Sequence, residues 1–131
     1  LKGVVDFNQS QALQAGAIAA LEQAPDWPER LRGLYRERRD RMAACLEAVG
    51  WPVRLPSMAL YLWLELPPAA RARGLDSEAF CAALLEATGV CLTPGNGFGP
   101  GGEGWERLAL VHPVARLEEG ATRIGAWLQG L

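Results

Sequence analysis

Apolar residues recur along the chain with two periods, and the switches between them mark out its elements. From about Ser10 to Gln23, Leu13, Ala17, Ala20 and Leu21 fall on one stripe of an alanine-rich helical repeat. Ala24-Pro25-Asp26 ends that helix. Asp26 and Glu29 have the spacing of a capping box, with Trp27 and Pro28 in the first turn of a long second helix. Its stripe runs through Leu31, Leu34/Tyr35, Met42, Cys45/Leu46 and Val49, interrupted only by Arg38, whose stem can cover apolar surface. Gly50-Trp51-Pro52 stops it, with Gly50 where a left-handed cap belongs.

The period then shortens. Val53-Arg54-Leu55 predicts a short strand, and Met58 to Leu66 a stronger one, nearly apolar on both faces and so expected inside a sheet covered on both sides. Asp76 or Ser77 can cap a helix through about Thr88, with Phe80, Leu84 and Ala87 inward and Gly89 terminating it. Val90–Thr93 predicts a strand, Pro94–Gly104 a glycine-rich loop and Trp105–Val111 another strand. Pro113 opens a last helix with the stripe Leu117, Ala121, Ile124, Leu128. The order α-α-β-β-α-β-β-α is that of an α+β fold, two leading helices (one long) followed by a small, mostly antiparallel sheet packed on helices.

Composition narrows the function classes. The 131 residues carry 13 basic and 15 acidic side chains, a near-balance that argues against general nucleic-acid binding, which neutralises many phosphates. Six arginines (30, 32, 36, 38, 39 and 41) crowd the second helix, but Glu29, Glu37 and Asp40 dilute them, and a solvated face is the better reading. No apolar run reaches the roughly 18 residues of a membrane span, and no signal-peptide pattern opens the chain. Cys45, Cys81 and Cys91, odd in number and set among apolar residues, predict reduced core thiols in a cytoplasmic protein, not a disulfide frame or a metal site. The chain opens on Leu1, not methionine, and a piece of a longer polypeptide is expected.

Few residues offer chemistry. Gly97-Phe98-Gly99-Pro100-Gly101-Gly102 spells G-x-G-x-x-G, yet a strand follows it, where a dinucleotide site needs a helix N-terminus. A flexible turn between strands, or a mobile loop over a ligand, suits it better. Strand alternation puts Arg107 on one face with Ala109, opposite Leu108 and Leu110. Its planar fork suits a carboxylate, although a surface arginine on an edge strand is the plainer reading of the residues alone. His112, the only histidine, reads as a junction residue or a lone general base, and no serine has a nucleophile-elbow setting.

The motifs nonetheless resemble a known family. Residues 1–9 (LKGVVDFNQ) and 16–21 (GAIAAL) are similar to the close of the large domain in class I/II aminotransferases. The strand Tyr61-Leu62-Trp63, the loop 93–99 (TPGNGFG) and the stretch 102–110 (GEGWERLAL) resemble that family's small domain, in order and at similar spacing, with Trp105 in place of the usual tyrosine. The Val5-Asp6-Phe7-Asn8-Gln9 wording leans toward the aspartate- and diaminopimelate-type branch.

The resemblance implies a fold type I, pyridoxal-phosphate-dependent transaminase that works as a homodimer with its sites at the subunit interface. It places residues 1–25 at the end of the large domain and bridging helix, and residues 26–131 in the C-terminal small domain. By the same resemblance Arg107 grips the α-carboxylate of the amino-acid or 2-oxo-acid substrate, with Asn96 and Gly97 nearby. Asp6, Asn8 and Gln9 fall in the segment that reaches into the partner subunit's site and reads the distal end of the substrate. Transamination also needs a lysine to hold the cofactor and shuttle the α-proton. The family's lysine lies upstream in a Ser-x-x-Lys-like motif absent here, and the only lysine is Lys2. The chain alone is therefore expected to bind no cofactor and to be inactive. A stand-alone binding or interaction module with the same small-domain fold is the alternative.

Overall fold

The computed structural model describes residues 9–131, so Asp6 and Asn8 lie outside the described residues. The chain divides into two compact units, Leu1–Gly33 and Leu34–Leu131. The first holds helix α1 (Gln11–Gln23) and the start of helix α2 (Trp27–Ala48). The stripe predicted for α1 is helical, but none of its residues is buried, and Leu13, Ile18 and Leu21 are exposed. The expected capping box at Glu29 does not form, because the Glu29 carboxylate accepts instead from Arg32, Nε lying 2.8 Å away. The helix still opens where expected, with the Asp26 carbonyl accepting the Arg30 N–H at 3.1 Å.

The second unit contains the remainder of α2, strand β1 (Tyr61–Glu65), a short helix α3 (Pro68–Ala72) and helix α4 (Ser77–Thr88). Strand β2 (Thr93–Pro94), two 3-10 turns (Gly95–Phe98 and Pro100–Gly102), strand β3 (Trp105–Ala109) and helix α5 (Val114–Leu128) follow. The three strands form one antiparallel sheet in the order β1-β3-β2. Arg107 is thus on the central strand, not the edge, with Trp63 and Thr93 as its partners on either side.

Val53-Arg54-Leu55 is not a strand. Pro52 and Pro56 bracket it and withdraw two backbone donors from so short a segment. Strand β2 is shorter than expected because the Val90 N–H is taken by Thr88 Oγ1 at 3.1 Å and Pro94 has none to give. Ladder pairing in β3 outlasts the strand by one residue, Leu110 donating to the Leu60 carbonyl at 2.9 Å. Helix α3, unforeseen, follows from Pro68 at its first position ahead of Ala69 and Ala70.

One face of the sheet is the core. Leu62, Leu64 and Leu108 point into it against Leu46, Phe80, Leu84 and Ile124. Trp51 is fully buried there, its Nε1 donating to the Glu65 carbonyl at 2.7 Å and its ring meeting Phe80 edge-on at 5.5 Å. The α5 stripe (Leu117, Ala121, Ile124, Leu128) is buried as its period predicts. Helix α5 also packs so closely on the end of α2 that a Cβ on Gly125 would lie 2.4 Å from Val49 Cγ1. In α4 it is Cys81, not Ala87, that joins Phe80 and Leu84 inside. The expectation of sheet cover on both sides fails within this unit: Tyr61 and Trp63 are 36% and 38% exposed on the opposite face. Cys91 is likewise exposed, although Cys81 is buried, and all three cysteines are free thiols.

Candidate functional site

The open face of the sheet carries Tyr61, Trp63, Trp105 and Arg107, and the turn Gly95–Phe98 adds Phe98 to them. Trp63 stacks on Trp105 (6.2 Å between centroids, 11° between planes) and meets Phe98 edge-on at 5.7 Å. Within this aromatic group lies the guanidinium of Arg107, its Cζ 4.6 Å from the centre of the Tyr61 ring and 4.8 Å from that of Phe98. Nη2 donates to Thr93 Oγ1 at 3.2 Å, and Nε, though buried, has no partner. Among the described residues no carboxylate pairs with it, whereas Arg39, Arg41, Arg71, Arg116 and Arg123 all have acidic partners. A half-buried cation left un-neutralised is a site for an anion.

The glycine loop behind this site is built, not slack. Gly95 and Gly102 are buried with their backbones against each other. The loop's own carbonyls take the N–H groups of Gly99 (from Asn96, 3.0 Å), Gly102 (from Gly99, 2.9 Å) and Glu103 (from Pro100, 3.4 Å). The loop thus forms a hydrogen-bonded turn between β2 and β3, and these donors are not arrayed for a phosphate. Asn96 contributes its carbonyl to the turn and is half-buried, whereas Gly97 is exposed with open space around it. Gln9, exposed, belongs to the other unit, where its carbonyl accepts from Gln14 Nε2 at 3.0 Å.

The loop is fastened to α4. Asp76 is the cap, accepting from the Ala79 N–H at 2.8 Å, and the neighbouring Ser77 is fully buried. Ser77 Oγ accepts the Gly104 N–H at 2.8 Å and donates to the Trp105 carbonyl at 3.1 Å. Glu103 accepts the N–H groups of Ser77 and Gly104 at 2.8 and 2.9 Å, bonds that hold its carboxyl below its ordinary range.

Sequence reasoning passed over Thr93, Tyr61 and Phe98 as neighbours of Arg107, since their meeting depends on strand order. It also passed over Glu106, although alternation puts that acid on the apolar face with Leu108. Glu106 is fully buried, and Cys81 Sγ donates to its Oε2 at 2.7 Å while Oε1 has no partner. Burial raises its pKa to about 7, and burial together with this bond pushes the Cys81 thiol far above its usual range.

His112 is exposed at the junction between β3 and α5, on the rim of a cavity of about 260 Å³ that does not include Arg107. That cavity lies between residues 89–92, the end of β3 and α5, and around it Glu119 pairs with both Arg116 and Arg123. Among the described residues there is no cluster able to hold a metal ion and no helix long and apolar enough to cross a membrane.

The model of the family "aminotransferase class I and II" matches residues 2–124. An LL-diaminopimelate aminotransferase of Nitratidesulfovibrio vulgaris (strain DSM 19637 / Miyazaki F) is 46% identical over 125 residues, 95% of this chain and 31% of that protein. One from Aquifex aeolicus (strain VF5) is 38% identical, covering 95% of this chain and 31% of its own length. Among solved structures, a probable N-succinyldiaminopimelate aminotransferase from Thermus thermophilus superposes with a TM-score of 0.78 at 43% identity, over 95% of this chain and 32% of that one. An aminotransferase from Staphylococcus aureus gives 0.83 at 32% identity, over 93% and 31%. The chain spans about a third of the length of the curated relatives it matches. The family match, the relatives and the small-domain motifs agree: the chain belongs to the class I and II aminotransferases, whose complete members depend on pyridoxal phosphate.

Proposed function

We propose that the chain is the C-terminal part of an aminotransferase and that Arg107 binds the α-carboxylate of its amino-acid or 2-oxo-acid substrate. Residues 1–25 would close the large domain and bridging helix, and residues 26–131 would form the small domain. The observation that carries the reading is the half-buried Arg107 guanidinium, free of any acidic partner among the described residues. A planar fork that grips the carboxylate fixes how the α-amine is presented, and such orientation supplies a large share of catalysis in bond-forming steps. The names of the relatives favour a diaminopimelate-type amino acid. Asn96 and Gly97 would border the carboxylate end. Asp6, Asn8 and Gln9 would meet the distal end of a substrate held by the partner subunit of a homodimer.

The described residues do not themselves fit pyridoxal phosphate. None of them is a lysine, so none offers an amine to the cofactor's aldehyde. The chain alone is therefore inactive in this reading. Mixed with pyridoxal phosphate, it should show no lysine–cofactor absorbance band. A one-to-one, borohydride-trapped adduct at Lys2 would overturn that.

In the complete enzyme, Arg107→Ala should lower kcat/KM for the amino acid by about a hundredfold or more, the loss of two charge-assisted hydrogen bonds. Cofactor absorbance should persist. Unchanged kinetics would remove Arg107 from the site.

A further inference from the structure

We propose that Phe98 and Tyr61 are positioning residues for Arg107, holding its guanidinium over their ring faces so that its N–H groups stay available to a carboxylate. The inference rests on the reading that Arg107 binds the substrate.

Two features of the geometry support it. The cation's Cζ is within 5 Å of both ring centres, and the rings come from different elements, β1 and the turn Gly95–Phe98. A guanidinium held over two rings cannot swing toward either side without leaving one of them. A ring face also attracts the charge without taking up a hydrogen-bonding position, as an aspartate would. Of the five N–H groups an arginine carries, one is spent within the protein, on Thr93 Oγ1. Among the described residues the cation is thus fixed in place but neither neutralised nor saturated, which is the condition for gripping an incoming anion strongly.

Phe98 does little else. It is 56% exposed and, besides holding the Arg107 cation, its ring meets that of Trp63. An exposed phenylalanine adds little to a core. Its turn, however, is anchored by the close Gly95–Gly102 backbone contact, which places the ring beside Arg107. Tyr61 shares the arrangement from the neighbouring strand, diagonal to Arg107 in the β1–β3 register, in which Tyr61 faces Ala109 and Trp63 faces Arg107.

The test uses the complete holoenzyme, with the amino-acid substrate and with propionate as an unreactive competing carboxylate. Phe98→Leu should raise KM and the propionate inhibition constant about three- to tenfold, a larger change than its effect on kcat, because carboxylate binding is shared by ground and transition states. Phe98→Tyr should restore both constants, since it restores the ring face. Mono-, di- and trifluorinated phenylalanine at position 98, which drain the ring face while keeping its shape, should raise them stepwise. Tyr61→Leu should act in the same direction as Phe98→Leu. A flat fluorination series, or leucine at 98 with wild-type constants, would overturn the proposal. If those results came with a severe Arg107→Ala defect, Arg107 would keep its role and only the ring pair would lose theirs. If Arg107→Ala were itself without effect, the reading beneath both would fall.

Discussion

Gly102→Ala is expected to cost about 4 kcal/mol or more of stability, the range reserved for steric clashes that a fold cannot absorb. A Cβ at Gly102 would lie 2.0 Å from the Gly95 carbonyl oxygen and 2.5 Å from its carbon. The reciprocal Cβ at Gly95 would fall 2.2 Å from the Gly102 oxygen and 2.5 Å from that of Trp105. All of these neighbours are backbone atoms, so no side chain can rotate away. The Trp105 carbonyl is in addition held by Ser77. To admit a methyl group the two 3-10 turns must part, and Phe98 would leave Arg107 with them. Gly101→Ala, where a Cβ meets nothing within 4 Å, is the matched control and should stay within about 0.5 kcal/mol of wild type. Urea unfolding of the three proteins decides the matter. Gly102→Ala within about 1 kcal/mol of the control would show that the loop yields, contrary to its packing.

The same loop shows what a sequence can and cannot convey. The G-x-G-x-x-G spelling suggested slack or a ligand, because glycine runs are compatible with both. Close packing of backbone on backbone uses the same residue for the opposite reason, and only the fold reveals which segments approach. Helix α5 was legible because its four stripe residues all face a core in the same unit. The stripe of α1 was equally legible as a helix but none of it is buried, since periodicity states which face is apolar and not what covers it. The strand at Val53–Leu55 was misread because two flanking prolines outweigh the short alternation of Val53, Arg54 and Leu55. For Arg107, alternation gave the face correctly, and its neighbours Thr93, Tyr61 and Phe98 required the order β1-β3-β2, which no local pattern specifies. The family resemblance suggested the proposed role, which periodicity could not. It did not draw attention to Glu106, which lies one residue from the proposed carboxylate-binding arginine and faces the other way.

That buried acid should make the protein lose stability as pH rises toward neutrality, and Glu106→Gln should abolish the effect. Burial raises its pKa from 4.5 to about 7, so the folded state holds the proton more tightly than the unfolded chain does. Below about pH 4.5 both states are protonated and nothing is lost. Between there and about pH 7 the unfolded state sheds its proton first, and stability falls by up to about 1.4 kcal/mol per pH unit. The total is about 3 kcal/mol, complete above about pH 7. The charges around the carboxyl reinforce this direction, since Asp76 and Glu103 nearby oppose a further negative charge. Hydrogen bonding from Cys81 favours the ionised form, but by less than burial opposes it. Glu103 titrates with the opposite sign, its lowered pKa supplying stability that disappears only as pH falls below its ordinary range, so the two windows do not overlap. Urea unfolding at pH 5 and pH 8 should therefore show wild type losing roughly 3 kcal/mol across the interval while Glu106→Gln loses little. Parallel losses in the two proteins would mean that Glu106 is ionised in the core at both pH values, with a cation or water compensating it. The neutral acid would then have no part in holding β3 to α4 beneath the arginine.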